Sequence, residues 1–236
     1  MKTFLENNKR LCINFILLFL LSVFSCALLL LRFHILGANY FKFLVWNLFL
    51  AWIPYGLSLI IYLFDTLFKF KSKIYFMVFI GVFWLLFFPN APYMLTDFVH
   101  FSWMNFYPNG TDSITINWLD FLLFSTFILN GIALGVHSLS IMQNILIKYC
   151  GKIYSCVGIA IITFLTSIAI YWGRFIRLNS WDAWRNFEAI KENLVIPPIG
   201  WLFIVLLWIL LFGMFALFGL GNIVALKGGP SVYKNE

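Results

Sequence analysis

Long apolar segments separated by polar connections run along the whole chain. Six of these segments reach the ~20 residues that an α-helix needs to cross ~30 Å of hydrocarbon. Because a helix satisfies its backbone hydrogen bonds internally, a helix bundle is the default membrane architecture. The predicted transmembrane helices cover about 11–31, 43–64, 74–95, 118–141, 153–173 and 199–225.

This pattern predicts an all-α fold, a polytopic membrane helix bundle of about six transmembrane helices in a single domain, residues 1–236. Lysine and arginine number ten on the side of both termini and six on the other side. Since basic residues are in excess on the cytoplasmic side, both termini are predicted to be cytoplasmic. The two long loops, about 96–117 and 174–198, then lie outside, and such loops often carry function.

The first apolar segment is predicted to stay in the protein as a transmembrane helix. Lys2, Lys9 and Arg10 precede an apolar run from Leu11 to Leu31. Basic residues followed by an apolar run also begin secretory signal peptides, but this run is longer than a usual signal-peptide core.

Composition agrees with a membrane protein and excludes several other classes. Hydrophobic residues make up 63% of the chain and charged residues 11%, against about 45–50% and 25% in soluble domains. The formal charge of +7 comes from residues that flank apolar segments. We therefore expect the lipid bilayer as the partner, and no nucleic acid. The four cysteines form no CxxC motif, so neither a disulfide framework nor a zinc site is predicted.

Two prolines interrupt the predicted third helix near its outer end. Pro89 and Pro92 remove backbone donors and leave upstream carbonyls without partners. Irregular backbone at membrane depth persists only when it is buried in protein or lines a wet cavity. Asn90 lies between the prolines, so it either satisfies the carbonyls or binds a substrate.

Asp97 and His100 follow these prolines and are the candidate catalytic residues. They are three positions apart, so on a helical turn they share a face. A carboxylate beside an imidazole can orient it as a general base, or both can bind a metal. Two ligands do not make a metal site, so no cofactor is predicted and a metal stays open. In the alternative, Thr96 or Asp97 caps a helix and His100 lies at the membrane interface.

Arg174 and Arg177 are the candidate anion-binding residues of the second long loop. If the fifth helix continues through them, they form a paired cationic face, which suits a phosphate or a carboxylate. The alternative is that they reach the lipid headgroups or pair with Asp97 or Asp120.

Residues 181–195 have the pattern of an amphipathic helix that lies in the outer membrane interface. Asp182 comes at its start. An acidic residue at this position usually caps the helix, but it is also a candidate for substrate binding.

Two motifs of the chain resemble those of an uncharacterised bacterial membrane protein family, catalogued as domain of unknown function 1361. The first motif runs from Pro89 to His100, and the second from Trp172 to Asp182. The resemblance implies a multi-pass protein of the bacterial plasma membrane and implies no particular activity.

Two functions fit these observations, and whether the protein is an enzyme stays open. In the first, the polar residues bind or process a lipid or a lipid-linked anion at the outer face of the membrane. In the second, the protein is a non-catalytic scaffold or accessory subunit with a membrane protein partner. A small transporter has less support, because no ionisable residue lies near the predicted midplane.

Overall fold

Helices form the regular secondary structure of all the residues that the structure describes. The computed structural model describes residues 8–36, 41–103, 111–180, 188, 191 and 195–227, with side chains omitted for 111–114 and 218–227. Six helices in this part are long and apolar enough to cross a membrane, which confirms the predicted fold class. The main helices of these spans are α1 (Lys9–Leu36), α2 (Lys42–Leu67), α3 (Lys73–Phe87), α4 (Thr111–Cys150), α5 (Lys152–Tyr171) and α6 (Pro198–Lys227). The third span, Lys73–Ser102, also includes the short helices that follow α3.

Helix α4 shows how the helix ends differ from the apolar segments. It has 40 residues, whereas the apolar segment suggests about 118–141. Hydropathy marks only the part of a helix that suits hydrocarbon, and the backbone hydrogen bonds continue into the polar residues on both sides.

The third span is broken as its two prolines indicate. Helix α3 ends at Phe87, and a one-turn helix (Asn90–Tyr93) and a 3-10 helix (Met94–Trp103) follow. Pro89 has no backbone N–H to continue α3, while Pro92 lies in the first turn of the next helix, where that donor would have no partner.

The chain forms two compact units, each built from two separate stretches of sequence. The first unit combines Met1–Trp52 with Ala91–Leu134, and the second combines Ile53–Asn90 with Gly135–Glu236.

The core of the first unit is apolar around one polar cluster. Leu44, Phe124 and Phe127 are fully buried. Between α1, α2 and α4, the Ser22 hydroxyl accepts hydrogen bonds from Trp52 Nε1 (3.0 Å) and Asn130 Nδ2 (2.8 Å). Hydrogen bonds between membrane helices of this kind contribute about 0.6 kcal/mol each.

The core of the second unit is centred on Trp84 of α3. Its indole Nε1 donates to the Ser138 hydroxyl (2.8 Å), which donates in turn to the carbonyl of Pro54 (3.0 Å). Helix α6 packs on α5, where Trp208 Nε1 donates to the carbonyl of Ala160 at 3.1 Å. The side-chain donors of Trp84, Ser138 and Trp208 are thus paired across helices, as their burial favours.

The second unit also contains a charged cluster where α2 ends, α3 begins and α4 ends. The buried Asp65 carboxylate lies 2.8 Å from Lys73 Nζ and 2.8 Å from Lys148 Nζ. It also accepts a hydrogen bond from the Tyr149 hydroxyl at 2.5 Å. One carboxylate therefore holds three helix ends together.

Candidate functional site

The 3-10 helix that follows the prolines brings Asp97 and His100 onto one face. A 3-10 helix has three residues per turn, so side chains three apart are directly aligned. Met94, Asp97 and His100 form the inward stripe of this helix, while Val99 and Phe98 are exposed. The spacing predicted a shared face, and the tight helix makes the alignment closer than an α-helix would.

The Asp97 and His100 side chains lie close together and differ in their exposure. His100 Nε2 lies 3.9 Å from Asp97 Oδ1, which is too long for a direct hydrogen bond. The Asp97 side chain is 1% exposed and that of His100 is 16% exposed. Asp97 Oδ2 accepts a hydrogen bond of 3.1 Å from Asn47 Nδ2 of α2. Asn47 thus holds the carboxylate, and the His100 side chain is the more exposed of the two.

Aromatic rings surround the imidazole of His100. Phe43 of α2 lies 4.9 Å from it and Phe124 of α4 lies 5.7 Å from it, measured between ring centroids. These contacts fix the ring position and keep part of it away from water, which strengthens its electrostatic interactions.

The first unit also contains an ion pair between Arg32 of α1 and Asp120 of α4, next to these aromatic rings. The contact is bidentate, from Nε to Oδ1 and from Nη2 to Oδ2 (2.9 Å for the second). The guanidinium also covers the ring of Phe41 at 4.3 Å, and Phe41 packs on Phe124 at 4.8 Å. Asp120 therefore has its cation within the same unit.

An apolar groove of about 640 Å³ runs between α1 and α2 of the first unit. Lys42 is the sole charged residue among its described lining residues, and α2 presents the groove on a different face from Asn47. The lining is Leu29, Leu30, Phe33, Lys42, Val45, Trp46 and Phe49.

In the second unit, Asn90 satisfies the backbone at the helix break. Its amide nitrogen donates to the carbonyl of Phe87 (2.9 Å) and to the hydroxyl of Ser180 (2.9 Å). Both N–H groups are thus used within the protein. This geometry favours the structural alternative for Asn90, and it joins the two motifs at that point, Asn90 to Ser180.

Arg174 and Arg177 do not lie on a continuous helix. Helix α5 ends at Tyr171 in a π-turn, Trp172–Ile176, and Arg177 has a left-handed backbone (φ 63°). The helical continuation that would align the two guanidinium groups is therefore absent. Arg174 is half-buried and Arg177 is exposed. Their role in anion binding stays a prediction.

The predicted amphipathic helix 181–195 and Asp182 lie largely outside the described residues. Of this segment the structure describes Glu188, Lys191 and Val195, and Glu188 accepts a hydrogen bond of 2.9 Å from Lys191 Nζ. Within the described part of the chain, no group of three or more His, Cys, Asp or Glu side chains could hold a metal ion.

Sequence reasoning missed Asn47 and Asp65. Asn47 was detectable, because a polar residue inside a membrane helix is a functional candidate in its own right. Asp65 lies one residue beyond the predicted end of the second helix, where a charge is ordinary. Asp65 stands out only in the folded protein, where Lys73 and Lys148 contact its carboxylate.

The fold defines a multi-pass membrane protein of the helix-bundle class. The chain belongs to the family described as protein of unknown function (DUF1361), whose model matches residues 46–218. Both motifs fall inside this match, and the predicted family is confirmed. No curated protein and no solved structure matches the chain.

Proposed function

We propose that the protein binds a lipid or a lipid-linked anion at the outer face of the membrane, and that Asp97 and His100 handle a proton of the bound molecule. The contrast in burial of these two side chains carries the proposal. A buried carboxylate orients an imidazole and stabilises its charged form, while the accessible imidazole meets the substrate. Asn47 holds the second carboxylate oxygen in place.

The groove between α1 and α2 supports a lipid as the bound molecule. A hydrocarbon chain fits its apolar lining, and the ammonium group of Lys42 suits a phosphate at one end. The lipid headgroup must extend past Lys42 to reach His100, because the groove and Asn47 lie on different faces of α2. From Lys42 to Phe49 the groove follows α2 for about 10 Å, at 1.5 Å per residue. Arg32, in contrast, is already neutralised by Asp120.

The remaining candidate residues are included because of their side-chain chemistry. Arg174 and Arg177 of the second unit are proposed to bind an anionic group, because guanidinium groups form bidentate contacts with phosphate. Asp182 is proposed as a further substrate contact. The bacterial plasma membrane as location, with both termini cytoplasmic, is part of the same proposal.

The groove is tested by the lipids that co-purify with the full chain in a mild detergent, identified by mass spectrometry. Val45→Trp fills the groove, and Val78→Trp places the same side chain at an exposed position of α3. We expect the wild type and Val78→Trp to retain the same lipid, and Val45→Trp to lose most of it. Identical lipid content in all three would contradict the proposal.

The proton-handling pair is tested with His100→Gln and Asp97→Asn. The control is Ser102→Ala, an exposed hydroxyl of the same 3-10 helix. If the lipid is turned over, both variants should slow its conversion by about 10²–10⁴-fold, the usual contribution of general acid–base catalysis. Unchanged conversion in His100→Gln would remove the imidazole from the mechanism.

The second candidate function is a non-catalytic scaffold or accessory subunit. It is favoured by the number of polar groups already used in structural contacts, such as Asn90 with Ser180 and Arg32 with Asp120. In this case a membrane protein partner should co-purify in mild detergent at a fixed ratio. A homogeneous preparation without a partner would argue against the scaffold.

A further inference from the structure

Lysine and aromatic residues are concentrated in the second unit where α2 ends, α3 begins, α4 ends and α5 begins. We define the lysine collar as Lys69, Lys71, Lys73, Lys148 and Lys152, which lie at the ends of α2, α3, α4 and α5 and in the turn between α2 and α3. The Asp65 carboxylate contacts two of these lysines, Lys73 and Lys148. The described residues of the collar and Asp65 therefore carry a formal charge of +4.

The two lysines that contact Asp65 differ in exposure and in how many of their N–H donors are already used. The Lys73 side chain is 13% exposed and that of Lys148 is 44% exposed. Lys73 Nζ also donates to the carbonyls of Asp65 (2.6 Å) and Phe68 (2.8 Å), so its three N–H donors are used within the protein. Lys73 is the structural partner of Asp65, and Lys148 can receive a second anion.

Aromatic packing fixes the turn that carries Lys69 and Lys71. The ring of Phe64 lies 4.4 Å from that of Phe68 and 4.2 Å from that of Phe76. This cluster joins the end of α2 to the start of α3. Both lysines are exposed on the turn.

The surroundings of the collar place it at a boundary between hydrocarbon and water. Ile153 is 78% exposed beside Lys152, and Tyr154 and Tyr75 are also largely exposed. Exposed apolar side chains next to lysine and tyrosine are typical of the membrane interface, where tyrosine lies at headgroup level. A soluble polyanion would leave Ile153 in water, whereas a phospholipid covers it.

We propose that the lysine collar binds the phosphate groups of anionic phospholipids. The phosphate accepts hydrogen bonds from Lys148 and Lys152, and Lys69 and Lys71 add long-range attraction. Acyl chains cover the adjacent apolar side chains. The inference does not rest on the proposed function, since the collar and the Asp97–His100 pair belong to different units and involve different residues.

The experiment measures lipid binding to the full chain by native mass spectrometry, with phosphatidylglycerol and phosphatidylcholine as probes. Lys69→Gln/Lys71→Gln removes two charges of the collar, and Lys69→Arg/Lys71→Arg keeps them. We expect the glutamine variant to bind phosphatidylglycerol about 30-fold more weakly, from the usual contribution of a lysine near an anionic surface. The arginine variant should match the wild type.

A variant of opposite sign provides the second arm. Asp65→Asn adds one positive charge to the collar and leaves Lys148 without its anion. It should bind phosphatidylglycerol about 5-fold more tightly than the wild type, by the same contribution per charge. Equal affinity of the wild type for the two lipids, or unchanged binding in the glutamine variant, would overturn the proposal.

Discussion

Asp65 of α2 and Lys148 of α4 lie 2.8 Å apart although 83 residues separate them in the sequence. Lys73, at the start of α3, contacts the same carboxylate. Asp65 and Lys73 are largely buried whereas Lys148 is 44% exposed, so the loss of each residue should have a different cost. A buried charge without a partner is far more costly than a missing exposed one.

In this cluster, the loss of stability on substitution should be larger for a more buried charged group. Asp65→Asn leaves two lysines without their anion and should lower stability by about 3–5 kcal/mol. Lys148→Met should lower it by about 1 kcal/mol or less, because Asp65 keeps Lys73. Thermal unfolding of the purified variants in one detergent gives the order. A larger loss in Lys148→Met than in Asp65→Asn would contradict the assignment of Lys73 as the structural partner.

The pair Arg32–Asp120 should behave as a buried ion pair. Arg32→Met leaves the largely buried Asp120 carboxylate without its cation and should cost about 3–5 kcal/mol. Arg32→Met/Asp120→Leu should recover most of that loss, because apolar side chains replace buried ion pairs at little cost. The four melting temperatures of this double-mutant cycle test it. Additive losses would show that the two residues act independently.

Gly131 of α4 should not tolerate a larger residue. A methyl group there would overlap the sulfur of Met94 and lie 3.0 Å from its Cβ. Gly131→Ala should therefore destabilise by about 1–3 kcal/mol in the wild type, and by less in a Met94→Ala background, where the overlapping sulfur is absent. In Gly81→Ala the new methyl has no neighbour within 4 Å, and a gain of about 0.5–1 kcal/mol is expected. Equal unfolding temperatures of Gly131→Ala and Gly81→Ala would argue against the close contact.

Arg177 has a backbone conformation that suits glycine. Its φ of 63° costs about 1–2 kcal/mol for a residue with a Cβ atom. Arg177→Gly and Arg177→Ala lose the same charge, but the glycine variant should be the more stable by about 1 kcal/mol in thermal unfolding. This comparison separates the backbone from the guanidinium group. If the two variants unfold at the same temperature, the left-handed turn is not strained.

The six spans were predictable because lipid imposes a minimum apolar length on each of them. The break at Pro89 was predictable too, since proline lacks a backbone donor. The partners of the charged residues were not. Asp120 was considered as a partner for Arg174 or Arg177, yet it pairs with Arg32, 88 residues away. Sequence spacing reports neighbours along a helix, and contacts between helices depend on packing.

The candidate site was predictable in part for the same reason. Asp97 and His100 are local neighbours, so their spacing was informative. Asn47 contacts Asp97 from a different helix, 50 residues earlier, and no pattern in the sequence links the two. The burial of both side chains likewise depends on packing between helices, in which Asn47 contacts Asp97 and the rings of Phe43 and Phe124 contact His100.

The separation between Arg32 and Asp120 has a consequence for biosynthesis. A ribosome that adds about 5–20 residues per second needs roughly 4–18 s to reach Asp120 after Arg32. During this interval the first helix enters the bilayer with a guanidinium group that has no carboxylate to meet, and the long side chain must extend to the headgroups. The first unit is thus completed only when the fourth helix inserts and Asp120 reaches Arg32.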